Sequence, residues 1–139
     1  MIKILIVAHG RFASGIKSSL NVLLGNSDNV VAIDAYVDDF DVVKDVQKYF
    51  ELANGDDQII MMTDLYGGSV NQLLYQYIKR PNTILLSGIN LPLVLEIAFD
   101  KINDLSLERV ECLIEESRKA LLVVKDREIS SVISDEDFF

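Results

Sequence analysis

The sequence predicts an α/β domain, an open and mostly parallel sheet with helices on both faces. Three observations carry that prediction. Short apolar runs rich in β-branched residues recur along the chain, each is followed by a stretch with helical hydrophobic spacing, and glycines or capping residues mark the changeovers. Parallel strands cannot be joined by tight turns, so strands alternating with helices imply crossover connections that cover the sheet. A chain of 139 residues suits one such domain, which at this size buries about 68–70 % of the surface its unfolded chain exposes.

The elements follow in order. Ile2 to Ala8 is apolar except for Lys3 and ends at His9-Gly10, the pattern of a central strand buried on both faces. Ile16, Leu20, Leu23 and Leu24 then recur at i, i+4, i+7 and i+8, with Ser14 placed to cap the helix and Gly25 to end it. Val30 to Tyr36 reads as the second strand. Val42, Val43, Val46, Tyr49 and Phe50 stripe the helix after it, with Asp38, Asp39 or Asp41 near its N-terminus. Gln58 to Asp64 is the third strand, and Val70, Leu73, Leu74, Tyr77 and Ile78 mark a helix that follows Gly67-Gly68-Ser69. Thr83 to Gly88 is the fourth strand, and Pro92 sits in the first turn of a helix carrying Leu93, Val94, Ile97 and Ala98. Ser106 is placed to cap a fifth helix running to about Ser117, and Ala120 to Val124 has the character of an edge strand. The organisation expected is one domain over residues 1–125, followed by a tail over 126–139 whose end, Ser134 to Phe139, is acidic with two aromatics.

Composition narrows the class of partner. Half the residues are apolar and a quarter charged, as in ordinary globular domains. A net charge of -9, from 22 acidic against 13 basic residues, argues against nucleic acid or an anionic membrane as the main partner. The single Cys112 excludes an internal disulfide framework and a multi-cysteine zinc site, suits a reducing compartment, and reads as a small buried apolar residue of a helix. The N-terminal apolar run is too short for a signal peptide, and no stretch approaches the roughly 20 apolar residues of a membrane-spanning helix. A cytoplasmic protein with no direct membrane insertion is expected. Neither GxGxxG nor a Walker sequence is present, which lowers nucleotide binding, and no cofactor or metal is expected.

In open α/β sheets ligands bind beyond the carboxyl ends of the strands, where the strand order reverses. For a flavodoxin-like order of 2-1-3-4, that place lies between strands one and three. The residues just past those strands are His9-Gly10 and Asp64-Leu65-Tyr66-Gly67-Gly68-Ser69, so the only histidine of the chain and an aspartate would converge there. A carboxylate can hold one imidazole nitrogen as N–H and leave the other free to attack phosphorus. Gly67-Gly68 permits close approach of backbone amides to an anion, and the helix opening near Ser69 turns its positive end to the same place. Spacing alone leaves the plainer readings open. A lone histidine is often a surface or hydrogen-bonded residue, Asp64 could simply cap its loop, and Gly10, Gly67, Gly68 and Gly88 are turn residues by default. Phe12 and Tyr66 could flank a site or cover the core.

Three segments, Ile6 to Gly15, Thr63 to Ser69, and Ser87-Gly88-Ile89-Asn90-Leu91-Pro92, together resemble the enzyme IIA component of the mannose family of the bacterial phosphoenolpyruvate-dependent phosphotransferase system, and Leu24-Gly25 with Asn29-Val30 fits the end of that family's first helix. The resemblance, which runs from about Met1 to about Lys125, implies that His9 accepts a phosphoryl group from the carrier HPr and passes it to a histidine of the IIB component. It implies that Asp64 orients His9 and that Gly67, Gly68 and Ser69, with Gly10 beside the histidine, hold the phosphate. It also implies a homodimer that exchanges a C-terminal strand between subunits, here Ala120 to Val124. Some members carry Thr-Trp where this chain has Leu65-Tyr66, so no hydroxyl role falls on position 65. No IIB domain follows, so IIB is expected as a separate chain. Two alternatives stand beside this reading: a relay subunit for dihydroxyacetone phosphorylation, and a non-enzymatic binding or regulatory module in which His9 is structural.

Overall fold

The computed structural model describes residues 2–36, 41–100 and 104–126. Four strands, β1 (Ile2–His9), β2 (Val30–Ala35), β3 (Gln58–Thr63) and β4 (Thr83–Ser87), form one sheet in the order β2-β1-β3-β4. Every neighbouring pair is parallel. The crossovers carry α1 (Phe12–Leu24), α2 (Val42–Leu52) and α3 (Ser69–Tyr75); α4 (Leu91–Phe99) and α5 (Leu107–Arg118) follow β4. The expected fold class and strand order are therefore present.

Side-chain alternation along β1 explains why both faces need covering. Ile4, Ile6 and Ala8 join one apolar layer with Leu20 of α1, Ile97 of α4 and Val110 of α5. Leu5 and Val7 join the other, with Val46 of α2 and Val70 and Leu74 of α3. A strand apolar at successive positions is stable only in the middle of such a sandwich, and β1 and β3 take the two central places. Tyr49, Phe50 and Tyr77 close the second layer, Phe50 stacking on Tyr77 at 4.2 Å between ring centroids. Burial pushes the Tyr49 hydroxyl up to about 12, with Asp57 adding to the shift and Arg80 opposing it, so the phenol stays protonated near neutrality.

Most caps fall where the residues place them. Asp41 accepts from the amides of Val43 and Lys44 at the start of α2, Asn90 from Leu93 at the start of α4, and Ser106 from Arg109 at the start of α5. Asp38 and Asp39 lie outside the described residues. Gly25 ends α1 in the left-handed conformation.

Four local expectations are corrected. Ser14 does not cap α1, because the helix opens earlier, at Phe12 after Arg11. Its amide is instead one of the orphan donors of the first turn and is taken, with its hydroxyl, by the Asp34 carboxylate of β2 at 2.9 and 2.6 Å. The third helix stops at Tyr75 and tightens into a 3-10 turn over Gln76–Lys79, since Pro81 forces Arg80 into an extended conformation. Cys112 is exposed, not buried: α5 turns Val110, Leu113 and Ser117 inward, which leaves position 112 on the solvent side. Ala120 to Val124 forms no strand among the described residues; it runs on past α5 with Leu121 88 % and Val123 78 % exposed.

One buried polar clamp ties the sheet to the segment before α5. The Gln58 side chain donates to the Leu105 carbonyl and accepts from the Leu105 amide, both at 2.7 Å. Gln58→Leu strands both backbone groups in a dry place, so we expect a loss of about 2–4 kcal/mol in stability. Urea unfolding measures it directly, and a midpoint equal to that of the parent chain would remove the clamp from the stabilising interactions.

Candidate functional site

The parallel register brings the two loops together. β1 pairs with β3 up to Ile6 against Met62 and runs on to His9, while β3 ends at Thr63, so His9 and Asp64 emerge side by side at the carboxyl end of the sheet. His9 lies on the same face of β1 as Leu5 and Val7, the face that packs against α2 and α3.

Asp64 holds His9 at two points. The backbone amide of His9 donates to Asp64 Oδ2 at 3.0 Å, and the ring Nδ1 lies 3.1 Å from Oδ1 and 3.0 Å from Oδ2. An ionised carboxylate only accepts hydrogen bonds, so Nδ1 carries the proton and, in the neutral ring, Nε2 keeps its lone pair. The Asp64 side chain is 13 % exposed and that of His9 38 % exposed, which leaves part of the ring open to solvent. Partial burial alone would raise the Asp64 pKa. The amide and ring hydrogen bonds from His9 outweigh it and hold the carboxyl below its usual range.

The loop after Asp64 is shaped around the ring. Gly67 adopts φ 77°, a left-handed conformation costly for residues with a Cβ. Gly68 precedes α3, and a Cβ there would touch His9 Cε1 at 3.6 Å. The amides that open α3 have no acceptor in their own helix and are available to an outside anion. Gly10 also has positive φ, at 58°, but its amide already donates to the Ala35 carbonyl at 2.9 Å. Gly10 therefore shapes the turn, and any amide contribution to an anion falls to the Gly67–Ser69 stretch.

Beneath the loop, Thr63 donates to the Ser87 hydroxyl at 2.9 Å and Ser87 donates to the Asn71 side chain. The amides of Gly88 and Ile89 bond the Thr63 carbonyl. These links join the ends of β3 and β4 to α3, so the backbone carrying Asp64 is fixed from below.

The predicted site residues thus separate into two groups. His9, Asp64 and Gly68 meet directly, with Gly67 and Ser69 on either side of Gly68. Phe12, Leu65 and Tyr66 are exposed at 40, 60 and 87 %, so Tyr66 does not cover the core. The residue that the motifs miss is Tyr36, whose ring lies 5.6 Å from the imidazole between centroids and whose hydroxyl is 2.7 Å from Ser69 Oγ. No local pattern marks it; only the pairing of His9 with Ala35 could have brought its neighbour under suspicion. Among the described residues no group of three or more His, Cys, Asp or Glu side chains is arranged to hold a metal ion, and no helix is long and apolar enough to cross a membrane.

Likeness to known proteins extends over most of the chain. The family model of the mannose-type IIA domain, described as the fructose IIA component of the phosphotransferase system, matches residues 3–112. The fructose-specific EIIA component of Bacillus subtilis is 24 % identical over 102 residues, covering 70 % of this chain and 68 % of its own length. A candidate phosphoenolpyruvate-dependent sugar phosphotransferase permease from Klebsiella pneumoniae superimposes with a TM-score of 0.80 at 26 % identity, over 88 % of this chain and 90 % of that one. The phosphotransferase system component EIIA from Streptococcus agalactiae gives a TM-score of 0.74 at 28 % identity, over 88 % of this chain and 97 % of its own. With the family model spanning well over half of its length, the chain belongs to the mannose-type enzyme IIA family, the phosphoryl-transfer proteins of the bacterial sugar phosphotransferase system.

Proposed function

We propose that this chain is a phosphocarrier in which His9 Nε2 takes a phosphoryl group from phospho-HPr and gives it to a histidine of the IIB component during sugar uptake. The observation that carries the reading is the grip of Asp64 on Nδ1, which leaves Nε2 as the unprotonated ring nitrogen. The Nε2 lone pair attacks phosphorus as the bond from phosphorus to the donor histidine nitrogen breaks. The ring gains positive charge as the new bond forms, and Asp64 sits against Nδ1–H to balance it. Discharge is the reverse at the second partner: its histidine attacks and the Nε2–P bond breaks. The Gly67 and Gly68 backbone and the Ser69 hydroxyl face the phosphoryl oxygens in this reading, with Gly10 turning the chain beside them.

With HPr, the kinase that charges it and phosphoenolpyruvate, the protein should gain one acid-labile, base-stable phosphoryl group per chain. No incorporation under conditions that charge HPr would refute the carrier reading. We place the working domain at residues 1–125 and the carrier in the cytoplasm, where an exposed thiol such as Cys112 stays reduced.

The homodimer with exchanged strands belongs to the same proposal. Leu121, Leu122, Val123 and Val124 are all exposed and join no strand among the described residues, while β4 is an edge of the described sheet with a groove between it and α5 lined by Leu85, Leu93 and Ile114. An apolar strand-forming run and an open sheet edge in one molecule are satisfied together when two chains trade the run. Replacing Leu122 and Val124 by Asp should raise the dimer dissociation constant more than tenfold, since each apolar side chain buried contributes about 1.5–3 kcal/mol. Sedimentation equilibrium checks this. A monomeric parent chain at micromolar concentration, or an unaltered dimer in the double variant, would end the proposal.

A further inference from the structure

Tyr36 stands where the course of β2 would not put it. Along β2, Ile33 and Ala35 belong with the α2/α3 layer, whereas Ala32 packs in the opposite layer and Asp34 bonds Ser14 of α1. A regular continuation would send Tyr36 to the α1 side, away from His9. Instead Tyr36 adopts φ 63°, in the left-handed region that a bulky residue rarely occupies. The ring is thereby brought against the imidazole at 5.6 Å and a 34° tilt, and the hydroxyl reaches Ser69 Oγ at 2.7 Å. Backbone strain of this kind persists where surrounding structure over-determines it, and here it accompanies contacts to both His9 and Ser69.

Hydrogen accounting gives those contacts a direction. Ser69 has a single hydroxyl hydrogen. It can donate to a phosphoryl oxygen only if Tyr36 supplies the hydrogen for the bond between the two hydroxyls. We infer that Tyr36 is a positioning residue of the phosphoryl site, donating its O–H to Ser69 so that the Ser69 hydrogen points at the phosphoryl group, while its ring walls the imidazole. The inference rests on the carrier reading and deepens it. Tyr36 makes no bond to phosphorus and takes no proton; it sets the orientation of a group that does face the phosphoryl oxygens.

The test is a double-mutant cycle on single-turnover transfer from phospho-HPr, using Tyr36→Phe, Ser69→Ala and the pair together. Tyr36→Phe keeps the ring and removes the hydroxyl. It should slow the saturated rate about tenfold, leave the HPr concentration at half-saturation unchanged and leave the melting temperature unchanged. Ser69→Ala should slow transfer at least as much, and the double variant should be no slower than Ser69→Ala alone. Wild-type rates in Tyr36→Phe would overturn the inference, as would effects that multiply in the double variant. A change confined to half-saturation would make Tyr36 a partner contact instead. If the unmodified protein takes no label from HPr, the carrier reading itself fails and this inference fails with it; labelling of the unmodified chain with an unaffected Tyr36→Phe removes Tyr36 alone.

Discussion

His9→Ala should reduce phosphoryl incorporation from phospho-HPr to background. The expectation is total loss because no other side chain can replace the nucleophile: His9 is the only histidine of the chain, and the carboxylate beside it is engaged by the His9 amide. The fold should tolerate the change. His9 ends a strand whose backbone hydrogen bonds do not depend on the ring, and its side chain is 38 % exposed. Removal of the ring does leave Asp64 with only the amide of residue 9 as a partner at this point, so a small loss of stability is compatible with the prediction. Label persisting at the level of the parent chain, in a variant with a native circular dichroism spectrum, would reject His9 as the acceptor.

Asp64→Asn should slow transfer by about 10–100-fold, the usual cost of removing a group that orients and charges a reacting imidazole. The side-chain amide can still accept from Nδ1–H, so geometry is largely kept. The lost element is the negative charge that opposes the imidazolium character of the phosphorylated ring. Asp64→Ala should be slower still, because it also frees the tautomer: without a carboxylate at 3.0 Å, nothing in the pair keeps the proton on Nδ1 rather than Nε2. Quench-flow labelling measures both variants, and rates equal to the parent would dissolve the pairing. The pH dependence has a definite sign. The Asp64 carboxyl lies below its usual value of 3.8 in the folded protein, so the carboxylate is intact throughout the neutral range. The stability it adds is fully present above the unfolded value and disappears as pH falls through the lower folded one. Asp64→Asn should therefore lower stability across the neutral range, flatten the acid limb of the profile, and bring variant and parent together at low pH.

Much of the site is legible in the sequence because its chemistry sits at the ends of strands. Apolar runs that stop at His9 and before Asp64 place both residues at one edge of a parallel sheet, and a flavodoxin-like strand order sets strands one and three side by side. Glycine at 67 and 68 announced a special backbone, and Gly67 has one. The misreadings share a cause. Ser14 was the local candidate for capping α1, but a carboxylate twenty residues further along the chain, on a neighbouring strand, takes its amide and hydroxyl. Cys112 belongs to a helix as expected, yet a shift of one position around a helix separates core from solvent. Tyr36 is an ordinary strand residue by composition, and only its φ angle turns it toward His9.

The order of amino acids determined the layered sheet, the sequence of strands and helices, and which chemical groups gather at the carboxyl edge. Those properties depend on periodicity, turn residues and connection length, all of which are local. Tertiary structure alone decided that both carboxylate oxygens face Nδ1, that Asp34 serves α1, that Tyr36 reaches Ser69, and that residues 120–124 find no strand partner among the described residues. Each of these turns on register or a single dihedral, and such quantities are set by distant packing rather than by neighbours in sequence.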